Sequence, residues 1–178
     1  FTKVAVLSMA NPTRPGGYVK QGANSQEEDI FRRTDLCRHT TSYSLGEQYP
    51  LSEDSPVVMV HAGVTIIRGT AKEGYPFLSD IPEVLTIIST SVCKKPRTIE
   101  NDATKTISYE GDDKFGMTMR IRLLLHAIID IKCTAVVLSA LGCGLDGHPP
   151  KEVATVFKRE LYRIGEKLPT ICFAVLDD

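Results

Sequence analysis

The apolar positions of this chain change period as the sequence advances, and the changes predict an alternation of strands and helices. Lys3 to Met9 (KVAVLSM) is a short β-rich run that ends in the proline- and glycine-punctuated stretch NPTRPGG, as a buried strand running into a turn would. A helix is predicted from Gln26 to His39, with Ser25 as its N-cap and SQEE fitting a capping box. Pro56 to Arg68 predicts two strands interrupted near Gly63, and Glu83 to Val92 another. Lys94 to Phe115 is polar and turn-rich, and predicts a long loop. Met117, Ile121, Leu124, Leu125, Ile128 and Ile129 then recur at helical spacing, so Gly116 to Lys132 should bury that face. Thr134 to Ala140 predicts a strand. Pro149 to Glu166 predicts a helix with Val153, Val156, Phe157, Leu161 and Ile164 inward, and Thr170 to Leu176 a last strand. This order implies an α/β fold with helices on both faces of a mixed sheet, largely parallel toward the C-terminal end.

Composition narrows the picture. A chain of 178 residues, 42% hydrophobic and 24% charged, suits one domain spanning 1–178, with no internal repeat or linker. A formal net charge of -1 argues against a protein that coats DNA or RNA. Cys37, Cys93, Cys133, Cys143 and Cys172 are odd in number and lack a C-x-x-C pair, which points to a reducing, intracellular setting without a disulfide framework or zinc site. No apolar run approaches the ~18 residues of a membrane span, and the start does not read as a signal peptide. The first residue is Phe1, compatible with a longer precursor. The spacing of His61, His126 and His148 suggests no metal site, so these are read as structural or exposed.

The chemistry concentrates in two glycine-bearing segments. The first, RPGGYVKQGANSQEED from Arg14 to Asp29, sets Gly16 and Gly17 in a loop ahead of two adjacent acids in a first helical turn. The second, LGCGLDGH, places Gly142, Gly144 and Gly147 at G-x-G-x-x-G spacing between a strand and a helix. A dinucleotide-binding Rossmann unit is disfavoured. The motif falls near the end of the chain, Pro149–Pro150 disturbs the start of the helix, and the next candidate ribose acids, Asp177 and Asp178, lie too far on. A glycine-rich strand-to-helix turn nevertheless makes a good anion cradle, and two of them could close on one diphosphate. Taken alone, Glu27 and Glu28 also fit a capping pair on a solvated helix face. Cys143 reads as a small packing residue rather than a nucleophile.

Asn11 to Leu36 resembles the signature region of microbial-type poly(ADP-ribose) glycohydrolases, a catalytic branch of the macrodomain fold. Gly16, Gly17 and Tyr18 stand where that family has three glycines, and seven residues separate them from Gln26, Glu27 and Glu28. The similarity continues through HAGVTIIR, Arg120 to Leu125 and SALGCGLDGHPPKEVATVFKREL; a helical N-terminal extension common in bacterial members is not in the sequence. The resemblance implies a macrodomain-like three-layer αβα sandwich with a mixed, mostly parallel central sheet. It implies hydrolysis of the terminal ribose–ribose bond of poly(ADP-ribose) without a metal or cofactor. The partners it implies are ADP-ribose, poly(ADP-ribose) and ADP-ribosylated proteins, not DNA or a membrane, and it implies a monomer. By analogy Asn11 binds the distal ribose, the backbone around Gly16 and Gly17 lines the diphosphate side, Tyr18 offers ADP-ribose an aromatic surface, and Gly142, Cys143, Gly144 and Leu145 wrap the phosphates. Glu28 is then the general acid and base, Glu27 orients substrate hydroxyls, and Gln26 fixes the local geometry. Tyr18, Asp146 and His148 depart from the family pattern, which has a third glycine, Phe and Asn there. The alternatives are a reader module that binds ADP-ribose without cleaving, or a hydrolase of protein-linked mono-ADP-ribose.

Overall fold

The computed structural model describes residues 3–40, 49–52, 55–79, 83–176; Asp177 and Asp178 lie outside these. The sheet is built from β1 (Val4–Met9), β2 (Val58–Thr65), β3 (Val84–Thr90), β6 (Ala135–Leu138) and β7 (Thr170–Phe173), in the order β2-β3-β1-β6-β7. Only β2 runs antiparallel to its neighbour; β3, β1, β6 and β7 are mutually parallel. Two further strands, β4 (Thr98–Asn101) and β5 (Thr106–Tyr109), form a separate hairpin.

Strand alternation assigns the helices to opposite faces. Ala5, Leu7, Ile88, Val136 and Leu138 join one core with residues of α3 (Asp113–Asp130) and α4 (Pro150–Ile164). Val6, Leu85 and Ile87, of opposite parity, pack with Ile30, Phe31 and Leu36 of α1 (Gln26–Arg33) and α2 (Leu36–Thr40). The result is the expected layered α/β arrangement. The stripe predicted for α3 is buried at Met117, Ile121, Leu124, Leu125 and Ile128, with Ile129 half-buried. The α4 stripe also carries an unexpected acid. Glu160 is only 1% exposed and accepts hydrogen bonds from Arg122 (2.9 Å) and Arg159 (3.1 Å), which hold its carboxyl below the usual range.

Several predicted elements are redrawn. The helix expected from Gln26 to His39 divides at Thr34, whose backbone is extended and bridges Ile66. Asp35 then exchanges two hydrogen bonds with Thr65, so pairing with the end of β2 outcompetes helix continuation. The two strands expected around Gly63 are one strand, β2, with a bulge between His61 and Val64 where Gly63 takes a φ of 75°. Lys94 to Phe115 is not one long loop. The β4–β5 hairpin occupies its middle, turned by Asn101, whose Oδ1 accepts the amides of Ala103 and Thr104. His126 is exposed. His61, by contrast, is buried on β2, and burial lowers its pKa to about 4.

Candidate active site

The two glycine loops meet. Each leaves the C-terminal end of a parallel strand, β1 or its neighbour β6, and they flank a cleft of about 420 Å³. Asn11, Tyr18, Gln26, Glu27 and Glu28 line one wall, and Gly142, Gly144 and Leu145 the other, with Lys94 and Asp146 between the same limits.

Three consecutive side chains at the start of α1 dock onto backbone in sequence. Gln26 donates Nε2–H to Leu7 O (2.7 Å) and accepts Met9 N–H on Oε1 (2.8 Å), locking the helix to β1. Glu27 accepts Asn11 N–H on Oε2 (2.7 Å) and Gly16 N–H on Oε1 (2.9 Å). Glu28 accepts Tyr18 N–H (3.0 Å) and the Ser25 hydroxyl. The expected capping box is therefore altered, because the Ser25 Oγ–H serves the Glu28 carboxylate and makes no cap to the helix backbone. Neither acid lies on a solvated face, at 3% and 4% exposure for Glu27 and Glu28.

Gly16 and Gly17 sit behind the acids and do not line the cleft. Both have positive φ, 70° and 52°. A Cβ on Gly16 would lie 2.6 Å from the Phe31 ring, and one on Gly17 would strike the Glu28 carboxylate. Gly16 N–H goes to Glu27 and Gly17 N–H to Arg14 O, so neither amide faces a ligand. Tyr18 needs no glycine: its φ is −109°. The residue is 43% exposed, and the Arg14 guanidinium lies 4.4 Å from its ring centroid. Asn11 spends its Oδ1 on Thr13 N–H and Oγ1–H, leaving the amide Nδ2 as a donor for a ligand.

On the opposite wall Gly142 takes a φ of 76°, and a Cβ there would stand 2.7 Å from His148 Cδ2 and 2.9 Å from Val92 Cγ2. His148 is 2% exposed. Its Nε2–H donates to Cys93 O (2.8 Å), which fixes the neutral tautomer, and its Nδ1 accepts the Tyr109 hydroxyl (2.7 Å). The hairpin and the end of β3 thus brace the glycine loop from beneath. Cys143 turns away from the cleft and lines an apolar cavity against Val153 and Phe157, consistent with packing.

The electrostatics separate the two acids. Burial raises Glu27 to about 7, against the pull of its two amide donors. Glu28 is also desolvated, but Ser25 and backbone donors outweigh this and hold it below the usual carboxylate range. Asp146 is raised by burial, with Lys94 opposing. Lys94 and Tyr109 escaped the sequence reading. Lys94 stood in what reads as loop, and nothing in the sequence marks Tyr109 as a partner of His148. Among the described residues no group of three or more His, Cys, Asp or Glu could hold a metal ion, and no helix is long and apolar enough to cross a membrane.

An α/β sheet with two glycine-bearing loops beside a carboxylate-lined cleft is consistent with a macrodomain-like fold, and comparison with known proteins bears on that fold. Residues 1–64 match the microbial-type PARG catalytic domain. Poly(ADP-ribose) glycohydrolase from Deinococcus radiodurans, solved with ADP-ribose, superposes with a TM-score of 0.75 at 22% identity, over 99% of this chain and 69% of that one. The Thermomonospora curvata poly(ADP-ribose) glycohydrolase bound to the inhibitor ADP-HPD gives 0.76 at 23%, over 98% and 65%. No curated protein matches. The structural likeness establishes the fold, and the match over residues 1–64 falls on the segment whose motif suggested the resemblance.

Proposed function

We propose that this chain binds ADP-ribose and hydrolyses the terminal ribose–ribose O-glycosidic bond of poly(ADP-ribose). The observation that carries this reading is the convergence of both glycine loops on one cleft with Glu28 in its wall. The diphosphate would lie along Gly142 to Leu145, the distal ribose beside Asn11 and the acids. Glu28 would protonate the departing ribose oxygen as the anomeric C–O bond breaks to an oxocarbenium-like state. The resulting carboxylate would then take a proton from the water that attacks the anomeric carbon, restoring the acid and releasing ADP-ribose.

Ser25 and the backbone donors favour the ionised form of Glu28, which suits the base role and not the acid role. The negative charge of a bound diphosphate and exclusion of water by the loops favour its protonated form. Glu28 should therefore titrate at higher pH with ADP-ribose bound than without. Glu27, fixed by the Asn11 and Gly16 amides, would hold the two ends of the loop in place and orient the ribose hydroxyls. The test is release of ADP-ribose from an automodified polymerase. Wild type should turn over, and Glu28→Gln should keep ADP-ribose affinity while losing about 10²-fold or more in rate. Binding without turnover by wild type would select the reader module instead. Tighter binding of NAD than of ADP-ribose would point to neither.

A further inference from the structure

A second cavity, of about 440 Å³, adjoins the first. Lys94, Lys95, Arg97, Asp112, Asp113 and Arg120 supply its charged lining, and Lys94 lines both cavities. Its charge is lopsided, with four cations against two carboxylates. Arg97 is drawn to Asp113 (3.4 Å) in a solvent-edge pair, whereas the Lys95 ammonium forms no ion pair among the described residues. Arg120 is 3% exposed, its guanidinium fixed by the carbonyls of Ser91 (3.1 Å) and Gly116 (3.3 Å). Lys95 N–H bonds Asp146 O (2.8 Å), which fastens the cationic segment to the second glycine loop. The side chains of Lys95 and Arg97 line this recess and not the first cleft.

Resting on the glycohydrolase reading, we propose that this second cavity receives a diphosphate of the polymer beyond the unit being cleaved. Poly(ADP-ribose) carries a diphosphate in every repeat, so a chain whose end is held in the first cleft has further anions to place. Lys94 at the shared boundary, followed by Lys95 and Arg97, offers them a cationic path. The site therefore discriminates polymer from free ADP-ribose, a distinction the first cleft alone does not make.

The test is fluorescence anisotropy with labelled poly(ADP-ribose) and with free ADP-ribose, on wild type and on the Lys95→Gln/Arg97→Gln double variant. Neither side chain lines the first cleft, and the monomer measurement doubles as a check on folding. The variant should bind free ADP-ribose within about twofold of wild type and polymer about tenfold more weakly, the scale of two solvent-edge ion pairs. The slope of log affinity against log salt should fall by about 1 for the polymer and stay unchanged for the monomer. Unchanged polymer affinity, or equal losses for both ligands, would overturn the proposal. So would a single-stranded oligonucleotide of equal charge that binds as tightly as polymer and is equally weakened in the variant. Wild type that binds neither ligand would instead defeat the glycohydrolase reading itself, and this proposal with it.

Discussion

Glu27→Gln tests how the catalytic loop is held. The native carboxylate accepts two backbone amides, one on each oxygen. A glutamine side chain has one carbonyl oxygen, so either Asn11 N–H or Gly16 N–H must face an NH2 group. A buried amide left without an acceptor costs about 1–3 kcal/mol. A second effect runs the other way with pH. The folded-state pKa of Glu27, about 7 against an ordinary 4.5, lies above the unfolded value. Its stabilising contribution is therefore present below pH 4.5 and lost as pH rises through 7. Between pH 5.5 and 8 that loss amounts to about 2 kcal/mol in wild type and is absent from the variant. Urea titrations at the two pH values give both numbers. The variant should be less stable at pH 5.5, and the gap should close by about 2 kcal/mol by pH 8, about 1 M in midpoint for an m-value near ~2 kcal/mol per M. A gap that does not change with pH would show that burial does not raise Glu27. Equal stability at pH 5.5 would show that the two amides do not depend on the Glu27 carboxyl, which is protonated at that pH.

Three further outcomes are expected. Gly142→Ala forces an L-residue into left-handed backbone and a methyl against His148 and Val92, so Tm should fall by about 5–10 °C and ADP-ribose affinity should weaken; calorimetry and titration would check both. Tyr109→Phe removes the hydroxyl donor to His148 Nδ1 and should cost about 1–2 kcal/mol in urea while weakening ADP-ribose binding, although Tyr109 does not line the cleft. Tyr18→Ala removes the exposed ring at the mouth and should weaken ADP-ribose binding several-fold by isothermal titration; tighter binding would mean that the ring obstructs the cleft rather than contributing to it.

The sheet and its two long helices were legible because burial imposes period. The Met117 to Ile128 stripe could face only one way, and adjacent Ile87 and Ile88 serve opposite cores. The β4–β5 hairpin was not legible because its isoleucines face outward: Ile99 and Ile107 are 59% and 48% exposed, and Tyr109 is its residue packed on the core, so no apolar alternation distinguishes it from loop. The break at Thr34 was hidden because its cause is a partner thirty residues away, at Thr65 and Ile66. In the site, the spacing of the glycines and acids was readable, but what the loop amides bind was not. A glycine pair ahead of two acids suggests N–H groups aimed at phosphate, whereas the fold aims them at the acids and at the loop itself. His148 stood out in the sequence only as a departure from the family's Asn and as a structural or exposed histidine; that it supports Gly142 was hidden because its partners, Cys93 and Tyr109, are brought to it only by the fold.

The docking of Glu27 and Glu28 onto the glycine turn bears on how such a site can change over generations. Because Gly17 leaves no room for a Cβ beside the Glu28 carboxylate, the turn and the acids form one inherited unit. A lineage that trades away the acid relaxes only the steric demand for glycine, and one that fills the turn with a larger residue displaces the acid. Drift at the glycine should therefore be followed by drift at the acid, whereas loss of the acid leaves the φ of 52° at Gly17 still favouring glycine.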